Sequence, residues 1–215
     1  MKQRIQDYQT YFSNKKFLGA LALSLIFLTI SLFINFYAGT YATERASNSV
    51  TDIILSNTRA YDLDGAFVYG SVLLTLCIFF VCLYKPRRIP FTIKSIALFV
   101  IIRSIFITLT HLGPFPSQIM IHSDFLSKVS FGGDLFFSGH TGLPFLLALI
   151  FWDDKLMRYI FISFSLMFAV VVLLAHLHYS IDVLSAFFIT YSIFHIALYI
   201  FKKDRAGVYL SEKAV

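Results

Sequence analysis

The sequence predicts an all-α, polytopic membrane protein with six transmembrane helices and both termini cytoplasmic. Three observations predict it. The 215 residues are 58% hydrophobic and only 14% charged, against about 25% charged in an ordinary soluble domain. The apolar residues gather into runs of membrane-spanning length, roughly 18 residues or more with few charges. Basic residues concentrate in alternate connections between those runs.

In order, the runs are Phe17–Ala38, Ala66–Tyr84, Phe91–Leu112, Phe136–Trp152, Leu156–Ala175 and Tyr179–Phe201. The first begins well inside the chain and lacks a small-residue cleavage site after a short apolar core, so it is expected to be retained. The third gives way to Gly113-Pro114-Phe115-Pro116, a poor sequence for helix. The fourth is the shortest and carries Ser138, Gly139, His140 and Pro144 near its start. No linker, internal repeat or low-complexity segment divides the chain, which reads as one integral domain, 1–215. Cys77 and Cys82 fall in one predicted helix and point in different directions, so no internal disulfide is expected between them.

The net charge of +6 matters less than its distribution. Lys2, Arg4, Lys15 and Lys16 precede the first run, and Lys85, Arg87 and Arg88 fill the second connection. Lys155 and Arg158 mark the fourth connection, and Lys202, Lys203 and Arg205 follow the last run. The first connection instead has an acidic balance, with Glu44, Asp52, Asp62 and Asp64 against Arg45 and Arg59. The positive-inside rule therefore assigns the termini and the even connections to the cytoplasm and the odd ones, which include both long connections, to the opposite side. Anchoring to anionic headgroups accounts for the basic residues, and no nucleic-acid partner is implied. Within the first connection, Val50–Leu55 is weakly amphipathic and suits the membrane interface.

Three groups of residues can carry chemistry. In His176-Leu177-His178-Tyr179-Ser180-Ile181-Asp182, His178 and Asp182 are four apart and share a face if a helix begins near His178. A carboxylate there can hold one imidazole nitrogen and leave the other free as nucleophile or base. An interfacial Tyr–His pair with an aspartate at a helix N-terminus also accounts for these residues. In Gly132–Gly142, small residues and His140 lead into an apolar helix, whose start is a natural phosphate site approached past Ser138 and Gly139. Arg103 lies past the middle of the third run, where a charge costs about 2.5–3.5 kcal/mol on insertion scales. It should face a cavity, a carboxylate or an anion. His195, on a different face of the sixth run from Asp182, reads as packing, and His122 and His176 have no assigned partner. No metal-ligand spacing and no nucleotide loop is present, so no cofactor is expected. Two histidines and an aspartate at one membrane face suit phosphoryl transfer: one imidazole attacks phosphorus and the other protonates the departing oxygen.

Phe-Ser-Gly-His-Thr followed by His-Tyr-Ser-Ile-Asp resembles the lipid phosphate phosphatase and phosphotransferase superfamily, which includes type-2 phosphatidic acid phosphatases. The sequence is most similar to its sphingomyelin synthase and inositol phosphorylceramide synthase branch. That branch's Cys-Gly-Asp-x-x-x-Ser-Gly-His-Thr motif is matched by Gly133, Asp134, Ser138, Gly139, His140 and Thr141, with Gly132 in place of cysteine. Its second motif is matched by Ala175, His176, His178, Tyr179, Asp182, Val183, Ala186, Ile189 and Thr190, with Ser180 for threonine. Arg103, Thr110, Leu112, Pro114 and Pro116 approximate an earlier motif with one residue inserted. The resemblance spans 103–199. Val171 and Val172 stand where the simple phosphatases carry Ser-Arg, and the Pro-Leu-Pro-Asp motif of animal sphingomyelin synthases is missing from the first connection.

The resemblance implies six helices, His178 as nucleophile, Asp182 as its orienting partner and His140 as the acid. Arg103, Asp134, Ser138, Gly139 and Tyr179 are the expected substrate-binding residues. With the topology drawn from the basic residues, the expectation is a multi-pass membrane enzyme, in the cell membrane if prokaryotic, with its site on the non-cytoplasmic face. The expected substrates are a phospholipid donor and a lipid alcohol acceptor, ceramide or diacylglycerol. Hydrolysis by a phosphatase or phospholipase C-type enzyme is the alternative outcome of the same site, and a non-catalytic transporter or scaffold is the alternative class.

Overall fold

A computed structural model describes residues 8–119 and 135–206. All of its regular structure is helical: α1 Lys15–Glu44, α2 Asp64–Tyr84, α3 Ile89–Leu109, α4 Gly139–Ile150, α5 Lys155–Leu174, α6 Ser180–Ile200 and a short α7, Lys202–Ala206. Five of these, all but α4 and α7, are long and apolar enough to cross a membrane. The run expected as the fourth span contains the 12-residue α4 instead, preceded by non-helical chain at Leu135–Ser138. Pro144 lies inside α4, and because it has no N–H it cannot donate to the His140 carbonyl four residues earlier.

Side chains distribute as they do in lipid rather than in water. The face that α1 buries is mostly small: Ala20, Ser24, Ser31, Ala38, Gly39 and Ala42. Its exposed face carries Leu23, Ile26, Ile30, Phe33 and Phe36. Spacings of three, four and seven residues along the buried face form a seam against α3, the small-residue packing by which membrane helices approach closely. Side-chain oxygens within the helices bond back to carbonyls one turn earlier, as Ser24 does to Leu21 and Ser31 to Leu28, both at 2.7 Å.

α4 is the centre of the bundle, packed against α3, α5 and α6. Leu146, Leu147 and Ala148 are fully buried. Gly142 permits the closest crossing, since a Cβ there would stand 2.8 Å from Thr190 Oγ1 and 2.9 Å from the Phe99 ring.

The helices alternate in direction, so the connections sort to two ends. At one end the basic connection after α2 meets the chain between α4 and α5. Lys85 pairs with Asp154 at 2.7 Å and Arg88 with Asp153 at 2.8 Å. Arg88 also donates to the Ile150 carbonyl, and Arg87 to that of Ala206. Lys94 and Asp204 form a buried pair at 2.9 Å that docks α7. Residues Tyr8 and Ala206, the limits of the described chain, lie at this end, Tyr8 bonded to the Leu83 carbonyl. At the other end, the connection after α1 is stitched to the chain after α3. Ser47 N–H donates to the His111 carbonyl at 2.8 Å and Gly113 N–H to that of Asn48 at 3.2 Å. Gly113 is required there because a Cβ would fall 2.2 Å from the Ser47 oxygen.

Gly142→Ala overpacks the α4–α6 crossing and is expected to cost about 1–3 kcal/mol. It should lower the thermal unfolding temperature of the detergent-solubilised protein; an unchanged temperature would mean that the crossing relaxes freely.

Candidate active site

Residues 175–179 reverse the chain between α5 and α6, and their backbone geometry sets where both histidines of the turn point. Leu177 N–H donates to the Val172 carbonyl at 2.8 Å and His176 N–H to that of Leu173 at 3.1 Å. His176 has φ 54°. These are the bonds and the left-handed residue of a Schellman helix ending, a position usually taken by glycine. The histidine side chain compensates for its backbone. Its Nδ1 lies 2.7 Å from Ser117 Oγ and its Nε2 3.4 Å from Thr58 Oγ1, and the ring meets Phe115 edge-on. His176, to which the sequence assigns no partner, thus fastens both connections of this end to the α5–α6 turn.

Two residues later the pair expected from spacing forms. His178 Nδ1 lies 3.1 Å from Asp182 Oδ2, with Asp182 fully buried and His178 nearly so. The same Oδ2 accepts the Tyr179 N–H at 3.1 Å, so Asp182 caps the start of α6 while holding the imidazole. Against an accepting Oδ2, the tautomer of the neutral imidazole that fits is the one with its proton on Nδ1 and its lone pair on Nε2. Asp182 Oδ1 is buried with no hydrogen-bond partner among the described residues.

The α4 start lies against this turn. Ser138 N–H donates to the Asp182 carbonyl at 3.2 Å, and Ser138 Oγ caps α4 by accepting from Thr141 N–H at 3.4 Å. The non-helical residues ahead of it are satisfied one by one. Thr110 reaches the Leu135 carbonyl, Ser185 that of Phe136 and Arg103 Nε that of Phe137, at 3.4, 3.2 and 3.1 Å. Phe136 holds φ 127°, a strained conformation for a non-glycine residue, with its ring stacked on Phe106.

His140 follows in the first turn of α4. Its ring sits between Phe67 and Phe168, at centroid distances of 4.3 and 5.5 Å. It is within Coulombic range of His178 and Arg103. Arg103 is buried beside the first residue of α4: a Cβ on Gly139 would stand 3.1 Å from its Nε. Its Nη1 lies 3.5 Å from Asn35 Oδ1 of α1. His140, His178, Asp182, Arg103, Ser138 and Gly139 therefore meet at one helix end. Asp134, with Gly132, Gly133 and His122, lies outside the described residues.

Tyr179 is placed differently from a residue facing an open site. It is almost wholly buried, and its hydroxyl donates to the Gly113 carbonyl at 2.8 Å while accepting Val50 N–H at 3.2 Å. His195 packs on Tyr191 and Phe194, far along α6. Among the described residues no three His, Cys, Asp or Glu side chains gather as a metal site. A cavity of about 680 Å³ opens at the opposite end, lined by Tyr8, Tyr11, Phe80, Tyr84 and Arg87, remote from the two histidines.

Sequence reasoning missed two contributors. Asn35 of α1 approaches Arg103, and its only signal was a lone amide within an apolar run. Asp52 joins the start of α6 from 128 residues away, accepting Ser180 N–H and Oγ–H at 2.7 Å each. Burial opposes ionisation of Asp52, but bonds from Leu55, Ser180 and Ile54 outweigh it and hold its carboxyl below the usual range.

Residues 132–199 match the family model described as PAP2 superfamily C-terminal, a family that includes sphingomyelin synthase-like proteins. The matched segment begins just before the α4 motif and ends in α6, so it contains both histidines and Asp182. No curated protein and no solved structure matches the chain. The match supports lipid phosphate phosphatase or transferase chemistry in a multi-pass membrane protein.

Burial lowers the His176 pKa from its ordinary 6.5, an effect that Asp52 partly opposes. A neutral imidazole is therefore favoured in the folded protein. The resulting stability is complete above pH 6.5 and is lost as the pH falls through the lowered folded value. Melting curves across this range should show acid destabilisation that is reduced in His176→Gln; identical acid dependence in the two proteins would contradict it.

Proposed function

We propose that the chain is a membrane lipid phosphotransferase that moves a phospho-headgroup from a glycerophospholipid to a lipid alcohol, ceramide or diacylglycerol. The observation that carries the proposal is the His178–Asp182 pair, at 3.1 Å, beside a second histidine at the start of α4. A match to the PAP2 superfamily C-terminal family over the same residues supports it.

The chemistry follows from the tautomer. Asp182 accepts a hydrogen bond from the Nδ1–H of His178, which keeps its proton, and the Nε2 lone pair attacks the donor's phosphorus. The bond from phosphorus to the glycerol oxygen breaks, and His140 gives that oxygen a proton. The headgroup is then carried on Nε2, with the positive charge of the ring offset by Asp182. The acceptor hydroxyl next gives its proton to His140 and attacks phosphorus, and the P–N bond breaks. Negative charge on the phosphoryl oxygens is met by Arg103 and by the N–H groups at the α4 start, beside Ser138 and Gly139. Tyr179, with its hydroxyl engaged elsewhere, serves in this reading by shaping the turn, and Asp134 retains its expected substrate-binding role. The site end faces away from the cytoplasm, because the opposite end carries Lys85, Arg87, Arg88, Lys155 and Arg158.

Purified protein in liposomes, given a fluorescent phospholipid with and without ceramide or diacylglycerol, is expected to form a new phospholipid only with acceptor. His178→Gln, which keeps a polar partner for Asp182, should lower turnover by ~10³-fold or more. Diacylglycerol or free phosphate released without acceptor would make the enzyme a hydrolase; no product from a broad donor panel would favour the non-catalytic class.

Arg103→Lys retains the charge but loses the planar fork that reaches both the Phe137 carbonyl and Asn35. Turnover should fall by about 10- to 100-fold. A wild-type rate would leave Arg103 with no part in the reaction.

A further inference from the structure

Asp52 lies in the connection between α1 and α2, outside the segment that matches the family model, yet its carboxylate bridges two parts of the molecule. Oδ1 accepts the N–H groups of Ile54 and Leu55, at 2.8 and 3.1 Å, and so folds its own connection. Oδ2 accepts both the N–H and the hydroxyl of Ser180. Ser180 is the first residue of α6, midway in sequence between His178 and Asp182.

The first N–H groups of a helix have no intrahelical acceptor. In α6 two carboxylates, one from within the helix and one from the α1–α2 connection, accept two of them. Asp182 accepts from Tyr179, and Asp52 from Ser180. Both sit at the positive end of the helix dipole, where negative charge is favoured. The orientation of His178 is therefore set by a turn held at both its flanks. Without Asp52 the residues before Ser180 keep their anchors, the Schellman ending of α5 and the bonds of His176 and Tyr179, but the Ser180 N–H at the first position of α6 loses its acceptor. Asp182 would then have to cap the helix alone with the oxygen that also holds the imidazole.

We propose that Asp52 is a positioning residue for His178: by fixing Ser180 it holds the first turn of α6 so that the Asp182-bound imidazole presents Nε2 to the phosphorus. The proposal rests on the reading of His178 as nucleophile. Asp52 touches no reacting atom, and its influence passes through Ser180.

That route defines the test. Proline suits the first position of a helix, and Tyr179, with φ −68° and ψ 157°, already has the extended backbone that a following proline requires. Ser180→Pro thus preserves α6 while removing both donors to Asp52. In the liposome assay, Asp52→Asn and Ser180→Pro should each lower kcat by about 10- to 100-fold with KM within about twofold of wild type. The double variant should be no slower than the slower single one, because both cut the same connection. Asp62→Asn, which removes an equal charge from an exposed position of the same connection, should keep the wild-type kcat.

A wild-type kcat in Asp52→Asn, a rise in KM alone, multiplicative losses in the double variant, or an equal loss in Asp62→Asn would each overturn the proposal. If Asp52→Asn fails to fold, Ser180→Pro alone carries the kcat comparison. If the wild-type protein turns over no lipid, the phosphotransferase reading has failed and a second measurement decides the positioning role. Diethyl pyrocarbonate modifies neutral imidazoles that become accessible, and mass spectrometry locates the product. His178 should be modified severalfold faster in Asp52→Asn than in wild type, with Asp62→Asn unchanged, and equal rates would overturn the proposal.

Discussion

In a hydrocarbon core about 30 Å thick, a backbone N–H or carbonyl without a partner costs several kcal/mol, and non-helical chain survives there only where protein satisfies it. That constraint explains the centre of this molecule. At about 1.5 Å per residue, the 12 residues of α4 reach little more than half the thickness. The remaining chain, Leu135–Ser138, is tolerated because Thr110, Ser185 and Arg103 donate to its carbonyls and the Asp182 carbonyl accepts the Ser138 N–H. The short helix and the polar side chains around it thus depend on each other. A full-length α4 would need none of those donors, and would leave no helix start beside His140 and Arg103.

The same dependence links the two histidine segments. The Ser138–Asp182 backbone bond ties the α4 start to the α6 start, so neither histidine can shift without moving the chain that bears the other. Gly139 and Gly142 let Arg103 and Thr190 approach α4 from two sides. Small side chains here are conditions for bringing polar groups together, as they are along the α1–α3 seam that delivers Asn35 towards Arg103.

Legibility in the sequence tracks the range of the interactions concerned. His178 and Asp182 could be paired from their spacing alone, because one turn of helix determines it. His140 and Arg103 could be marked as out of place in apolar runs, and the basic connections could be sorted to one end. Where the helix begins within the fourth run is not legible, because composition does not distinguish a helix from non-helical chain whose carbonyls are satisfied by distant donors. Asp52, Asn35 and His176 escaped for a related reason. Their partners lie 128, 68 and, for His176, 118 and 59 residues away. No local periodicity records such contacts. The resemblance implies a substrate-binding role for Tyr179, and no local pattern shows that its hydroxyl is shared between Gly113 and Val50, 66 and 129 residues away.

The two ends of the bundle are fastened by different kinds of bond. The end with Lys85, Arg88 and Lys94 is tied by charge pairs to Asp154, Asp153 and Asp204. The other end is held mostly by neutral hydrogen bonds around His176, Tyr179 and Gly113, with carboxylates that accept from backbone N–H groups. Dissolved salt screens an exposed pair such as Arg88–Asp153 within a Debye length of about 8 Å at physiological ionic strength, and reaches a buried pair such as Lys94–Asp204 much less. Ionic strength can therefore loosen the link between the α2–α3 and α4–α5 connections while α7 stays docked and the histidine end keeps its geometry. The bundle is thus fastened at one end partly by bonds that dissolved ions weaken, and at the other mainly by bonds that they hardly reach.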